Sequence, residues 1–283
     1  MKLTIDTAEL FIPDGTEESA ALARTTHLAI GAHQDDLEIM AYDGIVECYQ
    51  QPDKWYTGVV VTNGGGTPRS GIYGDYSDAD MITVRNKEQK KAAYVGDFAA
   101  QFLLAFPSGR VKDPADDGPT DDLASILEAT RPEVVYTHNL ADKHDTHIGV
   151  TLKTIAALRR MAPEARPKKV YGCEVWRDLD WMVDDDKVAF NVSSRENLQM
   201  ALVGIFDSQI AGGKRYDLAT MGRRRAHATY HQSHGVDECT GVSFAMDLTP
   251  LITDDSLDPV AFVQGYLNNF LNDVTERVKN IGG

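Results

Sequence analysis

His27-Leu28-Ala29-Ile30-Gly31-Ala32-His33-Gln34-Asp35-Asp36 decides the fold, because an apolar run that reads as a short buried strand stops where a polar cluster begins. Beyond it, Leu37, Met40, Ala41, Gly44, Ile45 and Cys48 recur at offsets of 3, 4, 7, 8 and 11, which predicts a helix with one apolar face. A histidine and two carboxylates thus stand at the carboxyl end of a strand, on the turn into a helix. Open α/β sheets bind their ligands there. His33 and Asp36, three apart on a tight turn, can both reach one cation; Asp35 lies between them and need not bind it.

Working outward, strands are predicted at 55–62, 101–106 and 133–137. They alternate with helices, as in a mostly parallel α/β sheet with right-handed crossovers. The first 25 residues are a weakly patterned lead-in with a turn at Pro13-Asp14-Gly15. The loop Asn63-Gly64-Gly65-Gly66-Thr67-Pro68 reads as a rim that lets a ligand come close. It has neither the dinucleotide fingerprint nor the Lys-Ser/Thr ending of a phosphate loop, so the rim is preferred to a phosphate site; a nicotinamide oxidoreductase fails for want of the glycine fingerprint after the first strand. Residues 70–80 read as a surface loop and 81–95 as a helix with Met81, Val84, Ala92 and Val95 on one stripe. Glu88 falls on that stripe and needs a partner. Arg85 is the local one, either as a structural ion pair or to brace the site. Thr120 is expected to cap a helix carrying Leu123, Ile126 and Leu127, with Asp121 and Asp122 in its first turn.

The second chemical cluster follows the strand at 133–137: His138-Asn139-Leu140-Ala141-Asp142-Lys143-His144-Asp145-Thr146-His147. Three of the chain's eight histidines stand in it, on the same sheet edge as His33 and Asp36. A helix with Ile148, Leu152, Ile155 and Leu158 in phase comes next. Together the two clusters make a metal site. Zinc in a hydrolase takes about three protein ligands and leaves a position for water. His33, Asp36 and one histidine of the second loop supply that set. Asp35 is the candidate to take a proton from the activated water, and a further histidine, off the metal, would stabilise an oxyanion or protonate a leaving amine.

Composition bounds the partners. With 283 residues and 42% apolar content the chain can bury a full α/β core, expected as one domain: a core at about 26–165, with 166–283 completing the sheet and the wall of the substrate site. A formal charge of −15 argues against nucleic acid or an anionic membrane surface. Cys48, Cys173 and Cys239 are too few and too scattered for a disulfide framework, and there is neither a basic apolar leader nor a membrane span. A cytoplasmic protein is expected, and a homo-oligomer is possible.

The order strand, A-H-x-D-D-x-E-I (Ala32 to Ile39), R-x-x-E (Arg85, Glu88) and distant H-x-x-H (His144, His147) resembles the LmbE-like de-N-acetylases. That family includes the N-acetylglucosaminyl-phosphatidylinositol de-N-acetylase PIG-L. Gly44, Gly96 and Ser208-Gln209 add to the likeness, which covers residues 27 to about 160 and thins out afterwards. The resemblance implies a Rossmann-like fold and zinc-dependent hydrolysis of an N-acetyl group on an amino sugar or conjugate. By matching positions His33, Asp36 and His147 would bind the metal, Asp35 would be the general base, and His144 would steady the transition state. Two positions depart from the pattern: Gln34 replaces the usual proline, and Thr146 replaces the usual aspartate before the last histidine. Asp145 or Asp142 is the candidate substitute.

Later, strands are predicted at 168–175 and 187–192. Trp176 and Trp181 between them suit a wall on which a sugar ring stacks, or ordinary packing. Arg85, Asn63 and Trp176 are the candidate substrate contacts. Ser193 to Glu196 reads as a capping box opening a helix through about 210. A basic helix over 214–231 presents Arg223-Arg224-Arg225 as a solvated face and His227 and His231 as a rival metal pair. A strand at 242–246 and an amphipathic terminal helix with Val260, Val263, Leu267, Phe270 and Leu271 close the chain. The residues point to a zinc-dependent hydrolase of an N-acyl, expected N-acetyl, amide on a small amino-sugar-like substrate. The alternative is a non-catalytic carbohydrate- or nucleotide-binding protein on the same fold, which would have no need of Asp35.

Overall fold

A computed structural model describes residues 1–282. The chain opens with a short strand β1 (Glu9–Phe11) and helix α1 (Glu18–Ala23), both inside the segment whose sequence is weakly patterned. Strand β2 (His27–Gly31) runs into the motif; α2 (Asp36–Met40), α3 (Tyr42–Cys48), β3 (Tyr56–Thr62), α4 (Asp78–Val95) and β4 (Ala100–Phe106) follow. Next come α5 (Ser108–Lys112), α6 (Gly118–Thr130), β5 (Val134–His138), α7 (Asp145–Arg160) and β6 (Lys169–Cys173). The later half adds β7 (Val188–Asn191), α8 (Glu196–Gly204), α9 (Asp207–Ile210), α10 (Tyr216–Tyr230), β8 (Val242–Asp247), α11 (Pro250–Thr253) and α12 (Pro259–Gly282).

The eight strands form one sheet in the order β1-β4-β3-β2-β5-β6-β8-β7. The five from β4 to β6 are mutually parallel, while β1, β7 and β8 pair antiparallel at the two margins, so the expected mixed, mostly parallel α/β sheet is what forms. Alternate residues serve opposite faces. Leu28 and Ile30 of β2, with Val59 and Val61 of β3, face Leu123, Ile126 and Val150 of α6 and α7. Ala29 and Val60 face Leu37, Met40 and Ile45 of α2 and α3. The chain leaves β2 towards β4 on one side and returns through β5 to β6 on the other. The reversal therefore lies between β2 and β5, the crevice at which doubly wound sheets place their ligands.

Several local expectations change. The helix after the motif is broken at Ala41 (φ −116°). Buried Arg224 of α10 donates to Glu38 O at 3.0 Å and Ile39 O at 2.9 Å, carbonyls that an unbroken helix would bond to Tyr42 and Asp43. Arg224 is thus not part of a solvated basic face. Helix α4 starts three residues early because Ser77 and Asp80 make a capping box, and Tyr73, in the expected surface loop, is buried with its hydroxyl on Asp207. Thr120 lies inside α6 rather than capping it. Arg195 at φ +52° replaces the expected capping box of α8, and Ser193 instead holds Thr240. Leu152 is exposed, and the core stripe of α7 runs through Val150, Ile155 and Leu158. No residue of α12 is buried.

Candidate active site

The two polar clusters meet. Thr62 donates its backbone N–H and its hydroxyl to Ala32 O (2.9 and 2.8 Å), and Ala32 N–H donates to His138 Nε2 at 2.9 Å, so β3 and β5 fix the start of the motif from both sides. The turn then tightens: Asp36 Oδ2 accepts the His33 backbone N–H at 2.7 Å. Asp35 takes a left-handed backbone at φ +99°, rare for a residue with a Cβ, and its N–H is held by Gln89 Oε1 at 3.2 Å. This puts Asp35 and Asp36 on different sides of one turn.

Asp36 Oδ2, His33 Nδ1 and His147 Nε2 form a nearly equilateral triangle. The edges are 3.3 Å (His33 to Asp36), 3.3 Å (His33 to His147) and 3.5 Å (His147 to Asp36). Asp142 Oδ2 accepts from His147 Nδ1 at 3.2 Å, which leaves the Nε2 lone pair of His147 free to face the triangle. Asp142 is itself locked by the N–H groups of Lys143, His144 and Trp176. Asp142 therefore steadies the histidine that faces the triangle, whereas Asp145 sits exposed in the first turn of α7.

The electrostatics suit a cation. Burial pushes the Asp36 carboxyl up, but His147 and His138 beside it more than compensate and hold it well below the usual carboxylate range. Burial lowers His33 and His138 to about 4, so both are neutral donors at neutral pH. Burial opposes charge on His147 as well, but Asp36 and Asp142 outweigh it and raise its pKa. The result is one anion among imidazoles, of which His33 is neutral and His147 has its Nδ1 held by Asp142 and its Nε2 turned to the triangle. These three atoms are one of two donor groups able to hold a metal ion among the described residues; the other, His138, Asp142 and His147, shares His147. Tetrahedral zinc with ligands at about 2.0–2.1 Å needs donors roughly 3.3–3.4 Å apart, and the triangle has that size.

His144 stands beside the triangle, its ring 4.6 Å from that of His147 and 5.1 Å from that of His33. Its Nδ1 accepts the Thr146 backbone N–H at 3.3 Å, so neutral His144 carries its proton on Nε2. A backbone donor thus orients His144 where the family pattern has a carboxylate. On the other side, burial raises Asp35 to about 8 against the pull of Arg85, whose Nη2 lies 3.5 Å from Asp35 Oδ2. Arg85 also donates to Gln34 O at 2.6 Å and Gly64 O at 3.1 Å. Its expected pairing with Glu88 is replaced: Glu88 accepts the Ser208 hydroxyl at 2.6 Å and the Ser208 N–H at 2.8 Å, which frees Arg85 for the turn. The glycine loop packs on this brace. Gly64 has φ +69°, and a Cβ there would come within 2.1 Å of Gln34 Oε1.

A cleft of about 360 Å³ opens over the triangle, lined by His33, Asp35, Asp36, Arg85 and His144 within and by Asn63, Trp176 and Tyr216 further out. Asn63 spends its Oδ1 on the Gly65 N–H at 3.1 Å. Trp176 stacks on His144 at 6.3 Å and meets Tyr216 edge-on at 6.1 Å, while Trp181 packs away from the cleft against Phe270. Gln209, of the Ser208-Gln209 pair, also lines the cleft, as do Tyr216 and Lys214, which show no pattern that would single them out in sequence. The rival pair does not assemble: His227 and His231 both pack on the ring of Phe244, at 4.2 and 5.3 Å.

Comparison with known proteins places the chain. Three similar solved structures are a conserved protein from Thermus thermophilus, the hydratase GalB from Pseudomonas putida and the N,N'-diacetylchitobiose deacetylase from Pyrococcus horikoshii. The first is 18% identical with a TM-score of 0.60, over 82% of this chain and 98% of the other. GalB is 17% identical (TM-score 0.60; 79% and 95% covered), and the deacetylase 15% (TM-score 0.57; 78% and 84% covered). These likenesses establish the fold, which on these names serves both hydration and deacetylation and so does not choose between them. The comparison with curated proteins found no match. The family model described as GlcNAc-PI de-N-acetylase matches residues 28–158, so the segment that carries the triangle and Asp35 is similar to a PIG-L (LmbE-like) domain.

Proposed function

We propose that the protein is a zinc-dependent hydrolase that removes an N-acetyl group from a small amino-sugar-like substrate. The observation that carries this reading is the donor triangle with a buried carboxyl beside it that is not one of its corners. His33, Asp36 and His147 would hold the metal, and Asp142 would keep His147 in the required tautomer. When bound, a divalent ion supplies a Lewis acid that polarises the acyl carbonyl and lowers the pKa of water. Asp35 takes the proton of the attacking water and passes it to the leaving amine; burial raises its carboxyl, and a bound cation would draw it back towards the ionised form that accepts a proton. Arg85 and Gln89 fix Asp35 in position. His144 offers its Nε2–H to the developing oxyanion. Trp176 and Tyr216 form the wall on which a pyranose ring would lie. The family match and the deacetylase among its structural relatives support this chemistry over the hydratase alternative, and a pure binding protein would leave Asp35 without a task.

The test pairs metal analysis of the purified protein with an amine-release screen over N-acetylated sugars and their conjugates. One divalent ion per chain and amine release are expected. Asp35→Ala should keep the ion and lose on the order of 10²- to 10⁴-fold in turnover. Wild-type rates in Asp35→Ala would remove the assigned base. A metal-loaded protein that releases no amine from any member of the panel would remove the reading itself.

A further inference from the structure

The longest helix of the fold is also the least covered. Helix α12 is anchored in its first half. Phe262, Val263 and Tyr266 pack part-buried on the core, Asn269 Nδ2 donates to Asp186 Oδ2 at 2.8 Å, and Phe270 meets Trp181 at 6.0 Å. Along a different line run Val260, Leu267, Leu271, Val274, Val278 and Ile281, at spacings of 7, 4, 3, 4 and 3. Gln264 fills the only polar seat. These six are 43% to 88% exposed. Alternating steps of three and four are the seam of a left-handed coiled coil, not the wider apolar face by which a helix sinks into its own domain.

We propose that this seam is the contact between two copies of the chain, helix against helix about a two-fold axis. Three observations select a second copy. With Phe270 at its flank, the exposed strip offers on the order of 700 Å², above the usual largest patch of a monomer and close to the roughly 800 Å² per partner of a standard stable interface. The flanking positions Asn268, Phe270, Thr275 and Arg277 carry no carboxylate, and Arg277 is tied to Asp273 of its own helix at 2.8 Å. Two molecules of formal charge −15 repel over most of their surfaces, but this strip lets them meet without bringing acids together. A membrane surface is the poorer fit. The polar side of α12 balances Arg277 and Lys279 against Asp273 and Glu276, whereas helices that lie on membranes are rich in Lys and Arg.

The experiment is sedimentation of the full chain across micromolar concentrations. A particle of two 31.1 kDa protomers is expected, and the double variant Leu271→Glu/Val278→Glu should weaken association by about 100-fold or more while its far-UV circular dichroism is kept. In a Cys239→Ser background, mild oxidation of Leu267→Cys, Val274→Cys or Ile281→Cys should give a covalent dimer for at least one position. A wild-type monomer at every concentration would overturn the proposal. So would a dimer that survives both glutamates, failure of all three cysteines to cross-link, or a monomer taken up by phosphatidylglycerol vesicles.

Discussion

Two groups of histidines look alike in the sequence and behave oppositely in the fold. His138, His144 and His147 lie within ten residues; His227, His231 and His234 lie within eight. In the first group the rings converge with His33 on the Asp36 carboxylate, and each has one nitrogen engaged: His147 by Asp142, His144 by the Thr146 N–H, His138 by the Ala32 N–H. In the second, His227 and His231 lie against Phe244, and His234 is exposed. Burial lowers His227 to about 4, and Glu174 is 3.5 Å from its Nδ1. Density of imidazoles is therefore not what makes a site. A shared anion does, together with partners that leave the lone pairs aimed at it.

The contrast is broken most severely at His147. His147→Ala removes a corner of the triangle and should cost the metal and at least about 10³-fold in turnover, read by metal analysis and amine release. Asp142→Ala should act through the histidine it holds, with metal affinity falling about 10- to 100-fold in a competition titration against a chelator. Glu38 sharpens the comparison through stability. Its carboxyl is buried with Oε2 unpartnered, and burial raises it from 4.5 to about 8. A raised acid holds its proton more tightly folded than unfolded, so its contribution is full below pH 4.5 and is lost as the pH rises through about 8. In metal-free protein Glu38 should therefore contribute a loss of up to about 1.4 kcal/mol per pH unit across that window, beside the loss from Asp35, and Glu38→Gln should remove that share in denaturant melts. The smallest effect is expected at His227→Phe: an unchanged one-to-one metal content and turnover within about twofold, because an aromatic ring against Phe244 is all that position supplies. A loss of metal there would erase the distinction between the two groups.

Most of the site's inner ring was legible because its chemistry is local. His33, Asp35 and Asp36 share one turn, and the alternation of strands and helices was enough to bring His144 and His147 to the same sheet edge. What the sequence conceals is long-range. Glu88 chooses Ser208, 120 residues away, over Arg85 three residues away, because a hydroxyl and an N–H satisfy both its oxygens. Arg224 sits between two other arginines and looks like a solvated cation, yet only it enters the core, where it donates to Gln199 at 2.7 Å and lies 5.0 Å from the ring of Tyr42. The short strand β1 has only three residues, too few for a periodic trace, although Leu10 and Phe11 pack part-buried on the two core clusters.

The reach of Arg224 has a consequence for how this chemistry could be transplanted. The candidate ligands all lie before residue 160, but the guanidinium that holds the carbonyls of Glu38 and Ile39 belongs to Arg224, about 60 residues further on. A fragment or chimera built from the first segment would inherit the donors without their clamp, a hand whose wrist belongs to the other half of the chain. The motif and the geometry that holds it are therefore separable in this molecule.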